Sequence, residues 1–343
     1  MQAKNQTQFV SSIHLLRAYA ACAVVLFHCG VVIGLDKYQA DPVVARMTHG
    51  LAAGVDLFFV ISGFVISLPF FWGRRQRPLR FLKQRALRIY PMSLIVSALF
   101  LALGFAVYGR VPTLDGLASS LLLLPSATPP TPVVLWTLKQ ELLFYGLFLL
   151  VILFGRVGLV GIGGWALASL WVAGDGVWTK WLLHPQNVQF AFGILAAWSF
   201  VRFDLRTNLA RLVLLVSAVG FVVAAHVLRQ SEGAAQMEAI VLAVVGYLVV
   251  ISAAFSQLRL SRLAMFLGTA SYSIYLVHFL FVSFGNKVLF RLFPDLDGML
   301  ALLLLAGFAL VMSALFYYLI ERPIEAWRKA RRRAASDLRP VQV

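Results

Sequence analysis

Windows of about 20 apolar residues recur ten times along this chain, and no other feature narrows the possible folds as far. They fall near 12–33, 51–72, 92–110, 135–155, 157–173, 187–203, 208–228, 237–256, 263–285 and 298–320. In hydrocarbon every backbone N–H and C=O must find its partner inside the protein, so segments of this length cross as α-helices. The expected fold is therefore all-α and polytopic, with about ten transmembrane helices. The fifth and sixth windows are the least regular, because both contain glycine or end close to polar residues. Composition agrees: 61% of the residues are hydrophobic and 13% charged, whereas soluble domains are roughly half apolar and a quarter charged.

Charge placement gives an orientation. With the N-terminus in the cytoplasm, alternate connections hold 21 basic residues on the inner side and 7 on the outer side. That bias predicts both termini inside. The formal charge of +16 is thus spent on short runs between apolar windows. No stacking-aromatic pattern accompanies them, so they read as topology signals and anionic-lipid contacts and not as a nucleic-acid surface. A membrane domain is expected over 1–325 and a basic cytoplasmic tail over 326–343. Cys22 and Cys29 fall ~10 Å apart along one helix, too far to bridge each other. The first apolar run is too long for a cleavable signal peptide.

The first window is LRAYAACAVVLFHCG, residues 16–30, which places Arg17 and His28 in an otherwise small and apolar segment. Eleven helical steps leave the two side chains about 20° apart around the axis and ~16 Å apart along it. Either residue alone reads as a snorkelling cation or a satisfied imidazole. Two on one face of a membrane helix point to function, since ionisable groups in hydrocarbon are costly. Ala21 and Val24 lie between them and leave room for a slot.

Four further stretches carry polar groups at depth. GVDLFFVISGFVIS, 54–67, holds Asp56 at a span end and Ser62 deeper, where a small residue also serves close packing. RRQRPLRFLKQRALRIYP, 74–91, sets Arg80, Gln84 and Arg88 at helical spacing with Arg85 beside them, a pattern that grips phosphate or anchors on lipid. WTLKQELLFY, 136–145, buries Glu141 with Thr137 and Tyr145 one turn to either side. A carboxylate there needs partners, for catalysis or in an ion pair with a cation such as Arg17. ASYSIYLVHF, 270–279, puts Ser271, Tyr275 and His278 on one face with Tyr272 nearby, as if lining a cavity. Glu321 and Arg322 end the last window, with Pro323 expected to interrupt the helix. No metal-ligand spacing, nucleotide-binding loop or nucleophile elbow is present.

Taken in order, Arg17 and His28 separated by ten residues, GVDLFFVISGF, RALRIYP, WTLKQELLFY and YSIYLVHF resemble the membrane acyltransferase-3 family over nearly the whole chain. The resemblance implies a multi-pass enzyme of the bacterial inner membrane. Its donor is cytoplasmic acyl-CoA, most often acetyl-CoA, used as a co-substrate with no permanently bound cofactor. Its acceptor is a hydroxyl of a glycan or lipid-linked saccharide such as exopolysaccharide or lipopolysaccharide. It assigns the essential roles to Arg17 and His28. On that basis His28 is the expected general base, with Glu141 or Asp56 holding its other ring nitrogen. Arg85, Arg88, Arg80 and Arg17 are expected at the CoA phosphates. Ser62, Tyr145, Tyr272, Tyr275 and His278 are expected to line the substrate cavity, with Tyr272 among the candidates for steadying an oxyanion. Lys139 and Gln140 stand where family members often have serine. A transporter or flippase of a polar lipid or sugar would use the same intramembrane charges without consuming acetyl-CoA. A non-catalytic scaffold gives no reason for them.

Overall fold

The computed structural model describes residues 2–36, 41–109, 111–172, 174–231 and 233–337. Lys37, Arg110 and Arg339, counted above for orientation, lie outside them, as do the side chains of Lys4, Arg332 and Arg333. The described residues are helical and contain no strand. In chain order the helices are α1 (Gln2–Ile33), α2 (Pro42–His49), α3 (Gly54–Phe71), α4 (Pro78–Tyr108), α5 (Leu114–Leu121), α6 (Trp136–Phe154), α7 (Arg156–Trp171), α8 (Val177–Leu182), α9 (Asn187–Arg202), α10 (Thr207–Arg229), α11 (Ala235–Phe255), α12 (Arg262–Leu292), α13 (Gly298–Phe316) and α14 (Arg322–Asp337). Among the described residues, eight helical segments are long and apolar enough to cross a membrane. They account for eight of the ten windows. The fifth and sixth fall on α7 and α9, of 16 residues each. The first turn of α9 carries Asn187 and Gln189, buried polar residues whose partners are other helices.

Local chemistry sets the helix ends. Asp41 caps α2 through Val43 N and Val44 N, with Pro42 in the first turn, where its missing N–H costs nothing. Ser261 and Asp297 cap α12 and α13 in the same way. Gly109 ends α4 at φ 61°, a left-handed conformation that glycine adopts without strain. Between α13 and α14 the chain does not break at Pro323. A π-turn over Tyr317–Glu321 shifts the helical register, and Pro323 then sits in the first turn of α14. The expected boundary between residues 325 and 326 therefore falls inside α14, and residues 338–343 of the tail lie outside the described residues.

Small residues let the central helices approach. A Cβ on Gly63 would collide with Phe190 O, and one on Gly193 with Val60 O, so α3 and α9 cross with their backbones almost touching. Gly268 lies against His14, Ser271 against Arg17 and His278 against His28, so α1 and α12 run parallel side by side. Around this centre the outward surfaces are apolar. On α10 alone Leu212, Leu215, Val216, Val219, Val223 and Val227 are exposed, an apolar face suited to contact with lipid.

Candidate active site

Three arginines meet where two cavities join. Arg17 comes from α1, and Arg85 and Arg88 come from one turn of α4. With Tyr272 of α12 they line both a narrow inner chamber and a wider vestibule. Beyond this neck the chamber runs along α3 past Ile66, Ser62, Phe59, Phe58 and Val55, with Leu138, Glu141, Tyr145 and Tyr275 opposite. Its walls are mostly apolar. The vestibule opens the other way, between α1, α4, α12, the π-turn and α14.

Each guanidinium is half-buried, yet among the described residues none of the three is in an ion pair within 4 Å. Arg17 Nε donates to Ser271 Oγ at 3.1 Å. Arg85 lies 5.3 Å from the ring centroids of both Phe81 and Tyr145. The carboxylates of the two cavities are engaged elsewhere: Glu141 accepts from Tyr145 and, at 3.3 Å, from Ser62, Glu321 accepts from Ser273, and Glu325 lies 3.6 Å from Lys329. The alternative of a direct Arg17–Glu141 ion pair is thus not realised. Arg80 does not join its neighbours. Eight residues at 100° leave it about 80° around α4 from Arg88, and it is exposed and lines neither cavity.

His28 is held by a second imidazole. His278 Nδ1 lies 3.0 Å from Ile274 O, so that nitrogen carries a proton and its Nε2 is an acceptor. That Nε2 lies 3.1 Å from His28 Nδ1, which also lies 3.0 Å from Val24 O. Two acceptors around His28 Nδ1 assign the proton to it and leave its Nε2 as the bare lone pair. Phe27 and Phe279 pack edge-on to the His28 ring. Neither imidazole lines the two cavities. Tyr275 lines the chamber and packs with its ring centroid 6.0 Å from that of His278, with Phe58 against it.

This corrects three expectations. Glu141 and Asp56 do not hold the second nitrogen of His28, because both bond to other partners and His278 occupies that position. His278 is not a cavity wall. Tyr272 is not free to steady an oxyanion, since its hydroxyl donates to Ile89 O at 3.0 Å. The remaining hydroxyls are also engaged: Tyr275 Oη lies 2.9 Å from Thr137 Oγ1 and 3.2 Å from Val134 O, and Ser271 donates to Gly268 O.

Asp56 sits at the far end of α3 in a closed network. It is fully buried and accepts from Gln186 Nε2 at 2.8 Å, from Gln189 Nε2, and from Arg229 at 2.7 Å. Arg229 Nε continues to Glu238 at 2.7 Å. Burial lowers the pKa of His184, and the Asp56 carboxylate opposes that shift. Lys139, buried on α6, donates to Ser119 Oγ at 2.6 Å, and Ser119 in turn donates to Thr128 O. It ties the 113–132 connection to the helix.

Sequence reasoning missed Gln186, Gln189 and Arg229 around Asp56, and Glu321, Arg328 and Lys329 around the vestibule. No local signal marks the first set. The second was hidden in a basic run that also reads as a topology anchor.

Comparison with known proteins bears on this arrangement. The acyltransferase-3 family model, described as an acyltransferase domain, matches residues 10–318. The exopolysaccharide production protein ExoZ of Rhizobium meliloti (strain 1021) is 28% identical over 302 residues, which is 82% of this chain and 92% of that protein. The acyltransferase MdmB of Streptomyces mycarofaciens is 26% identical over 359 residues, covering 90% of this chain and 89% of that protein. No solved structure matches. A family match spanning this whole helical frame, from the first span to the last, makes the chain a multi-pass membrane enzyme that transfers acyl groups, a member of the acyltransferase-3 family.

Proposed function

We propose that this enzyme moves an acetyl group from cytoplasmic acetyl-CoA to a hydroxyl of an exported or envelope glycan, in the bacterial inner membrane, with His28 as general base. The observation that carries the reading is the neck. Three half-buried guanidinium groups share one junction without a carboxylate of the described residues within 4 Å of any of them. Cations held apart from counter-ions in a low-dielectric site repel one another, and an anion of several charges relieves that. Guanidinium forks suit a diphosphate. The chamber beyond the neck is narrow and apolar and runs eleven helical steps along α3, ~16 Å, which suits an extended pantetheine arm. It ends at Tyr275 and Phe58, against the imidazole pair. The basic bias of alternate connections supports a cytoplasmic vestibule. Similarity to a protein named for exopolysaccharide production supports a glycan acceptor.

In this scheme the acceptor hydroxyl gives its proton to His28 Nε2 as its oxygen attacks the thioester carbonyl. The tetrahedral intermediate collapses, the C–S bond breaks, and the thiolate takes the proton back from His28. While His28 is charged, Val24 O and His278 Nε2 accept from its Nδ1–H and stabilise the imidazolium. Such a base is worth ~10²–10⁴-fold.

The test uses the purified full-length protein in nanodiscs with labelled acetyl-CoA and candidate exported glycans. CoA release that depends on the glycan, with label ester-linked to it, is the expected result. Movement of the glycan or its lipid carrier without CoA release overturns the reading.

A further inference from the structure

The proposed reaction brings the thioester carbon to an oxygen held by His28 Nε2, yet the structure keeps donor space and base apart. Neither His28 nor His278 lines the chamber or the vestibule. Between them stands a wall of two rings, Phe58 of α3 and Tyr275 of α12, with centroids 5.7 Å apart. Both line the chamber, and Tyr275 also packs against His278, 6.0 Å between centroids. The two rings are fixed in different ways. Phe58 is wedged against three apolar cores at once. Tyr275 is tethered through its hydroxyl. Its Oη lies 2.9 Å from Thr137 Oγ1 and 3.2 Å from Val134 O, and Thr137 Oγ1 itself donates to Val134 O at 3.0 Å. Two hydroxyl protons and one carbonyl close on themselves there, and all three residues are buried.

We infer that Tyr275 is a latched partition between donor and base, a specificity-determining residue that makes the enzyme choose a glycan hydroxyl over water. The inference rests on the proposed acetyl-CoA donor and His28 base. The chamber is continuous with the vestibule at the neck, so water reaches the donor. Water in the chamber finds no base, because His28 lies behind the ring. Transfer requires the ring to turn aside, which breaks the contacts of its hydroxyl and holds the open state to a minor population. A saccharide bound at His28 offers a neighbouring hydroxyl to the freed Tyr275 Oη and so favours opening. A lone water has no such fixed second group. Without the tether the ring opens with no acceptor present. Water then attacks the thioester carbonyl and its proton passes to His28 Nε2. The C–S bond breaks, the CoA thiolate takes the proton back, and acetic acid leaves and ionises.

The measurement is acetate formed from labelled acetyl-CoA alone by the purified full-length protein in nanodiscs. Wild type is expected to form little. Tyr275→Phe keeps the ring and removes the hydroxyl; Thr137→Val keeps the shape and removes the partner. Each is expected to raise acetate formation roughly 3- to 10-fold, the worth of one hydrogen bond. A merely structural defect would lower turnover instead. Tyr275→Phe combined with His28→Ala is expected to return acetate to the wild-type level. Tyr247→Phe removes a hydroxyl held 3.1 Å from Ser199 Oγ, away from the chamber, and is expected to match wild type. Unchanged acetate in either Tyr275→Phe or Thr137→Val, with a wild type that transfers acetyl to an exported glycan, overturns the latch and leaves the donor standing. Acetate that persists in the double variant bypasses His28 and also overturns the latch. No CoA release by wild type with glycan, and none by the variants without it, overturns both.

Discussion

The two charged clusters of this protein are built on opposite plans. At the far end of α3, Asp56 is fully buried but surrounded: two glutamine amides and the Arg229 guanidinium saturate it, and Glu238 balances the cation. At the neck, Arg17, Arg85 and Arg88 converge, while Glu141 and Glu321 bond to hydroxyls instead of to them. The first arrangement satisfies itself. The second is complete only with something else present. Inside a membrane protein, where any charge is costly, the pairing state of a cluster separates a structural clamp from a binding site better than the mere presence of charge.

The largest expected effect comes from neither cluster but from the group that the neck serves. His28→Ala should lower acetyl transfer ~10²–10⁴-fold while leaving the melting temperature within a few degrees of wild type, since the ring is only half-buried. Normal transfer by this variant removes His28 from the mechanism. Next is Asp56→Leu. It takes from Arg229 one of its two carboxylate partners and leaves the Gln186 and Gln189 amides without their acceptor, a loss on the order of 1–3 kcal/mol of stability for each group left unpaired, read as earlier thermal unfolding in detergent. Asp56→Leu combined with Arg229→Met should recover part of that loss. A variant that melts normally but transfers poorly would make the far cluster a functional site and break the contrast.

Arg88→Gln probes the other side. Removing one cation from the neck should weaken CoA binding roughly 10- to 100-fold with little change in melting temperature, since Arg88 is in no ion pair within 4 Å among the described residues. A stability loss as large as that of Asp56→Leu would show that Arg88 is paired after all.

Much of the frame was legible from residues alone, because apolar windows and helical periodicity are local. Tyr145 beneath Glu141 follows from one helical turn, and the face of Ser271, Tyr275 and His278 is real. Its occupants, however, divide among three partners: Ser271 to Arg17, Tyr275 to Thr137, and His278 to His28. Those partners lie 254, 138 and 250 residues away, and nothing in a single sequence sets such pairings. Depth alone suggested Asp56 for His28, since both lie toward the same end. Rotation about α3 sends Asp56 instead to α9 and α10. The neck arginines were legible as a basic helical face, but the π-turn that brings Glu321 and α14 to them was not. Pro323 reads as a stop unless the register shift before it is known.

The smallest effect tests how far a helical face extends. Arg80 shares the basic stretch with Arg85 and Arg88, and spacing alone groups them. Eight residues of α4 carry it about 80° away from Arg88 and two turns beyond the neck, onto the exposed surface. Arg80→Gln should therefore change CoA affinity by less than about two-fold, within the ~0.5 kcal/mol typical of surface substitutions. Against the loss expected for Arg88→Gln, that difference isolates position from charge, since each substitution removes one arginine from the same helix. An equal loss at both sites would mean that a general positive field, and not a shaped neck, attracts the donor. In that case the loss at both should shrink together as salt is raised.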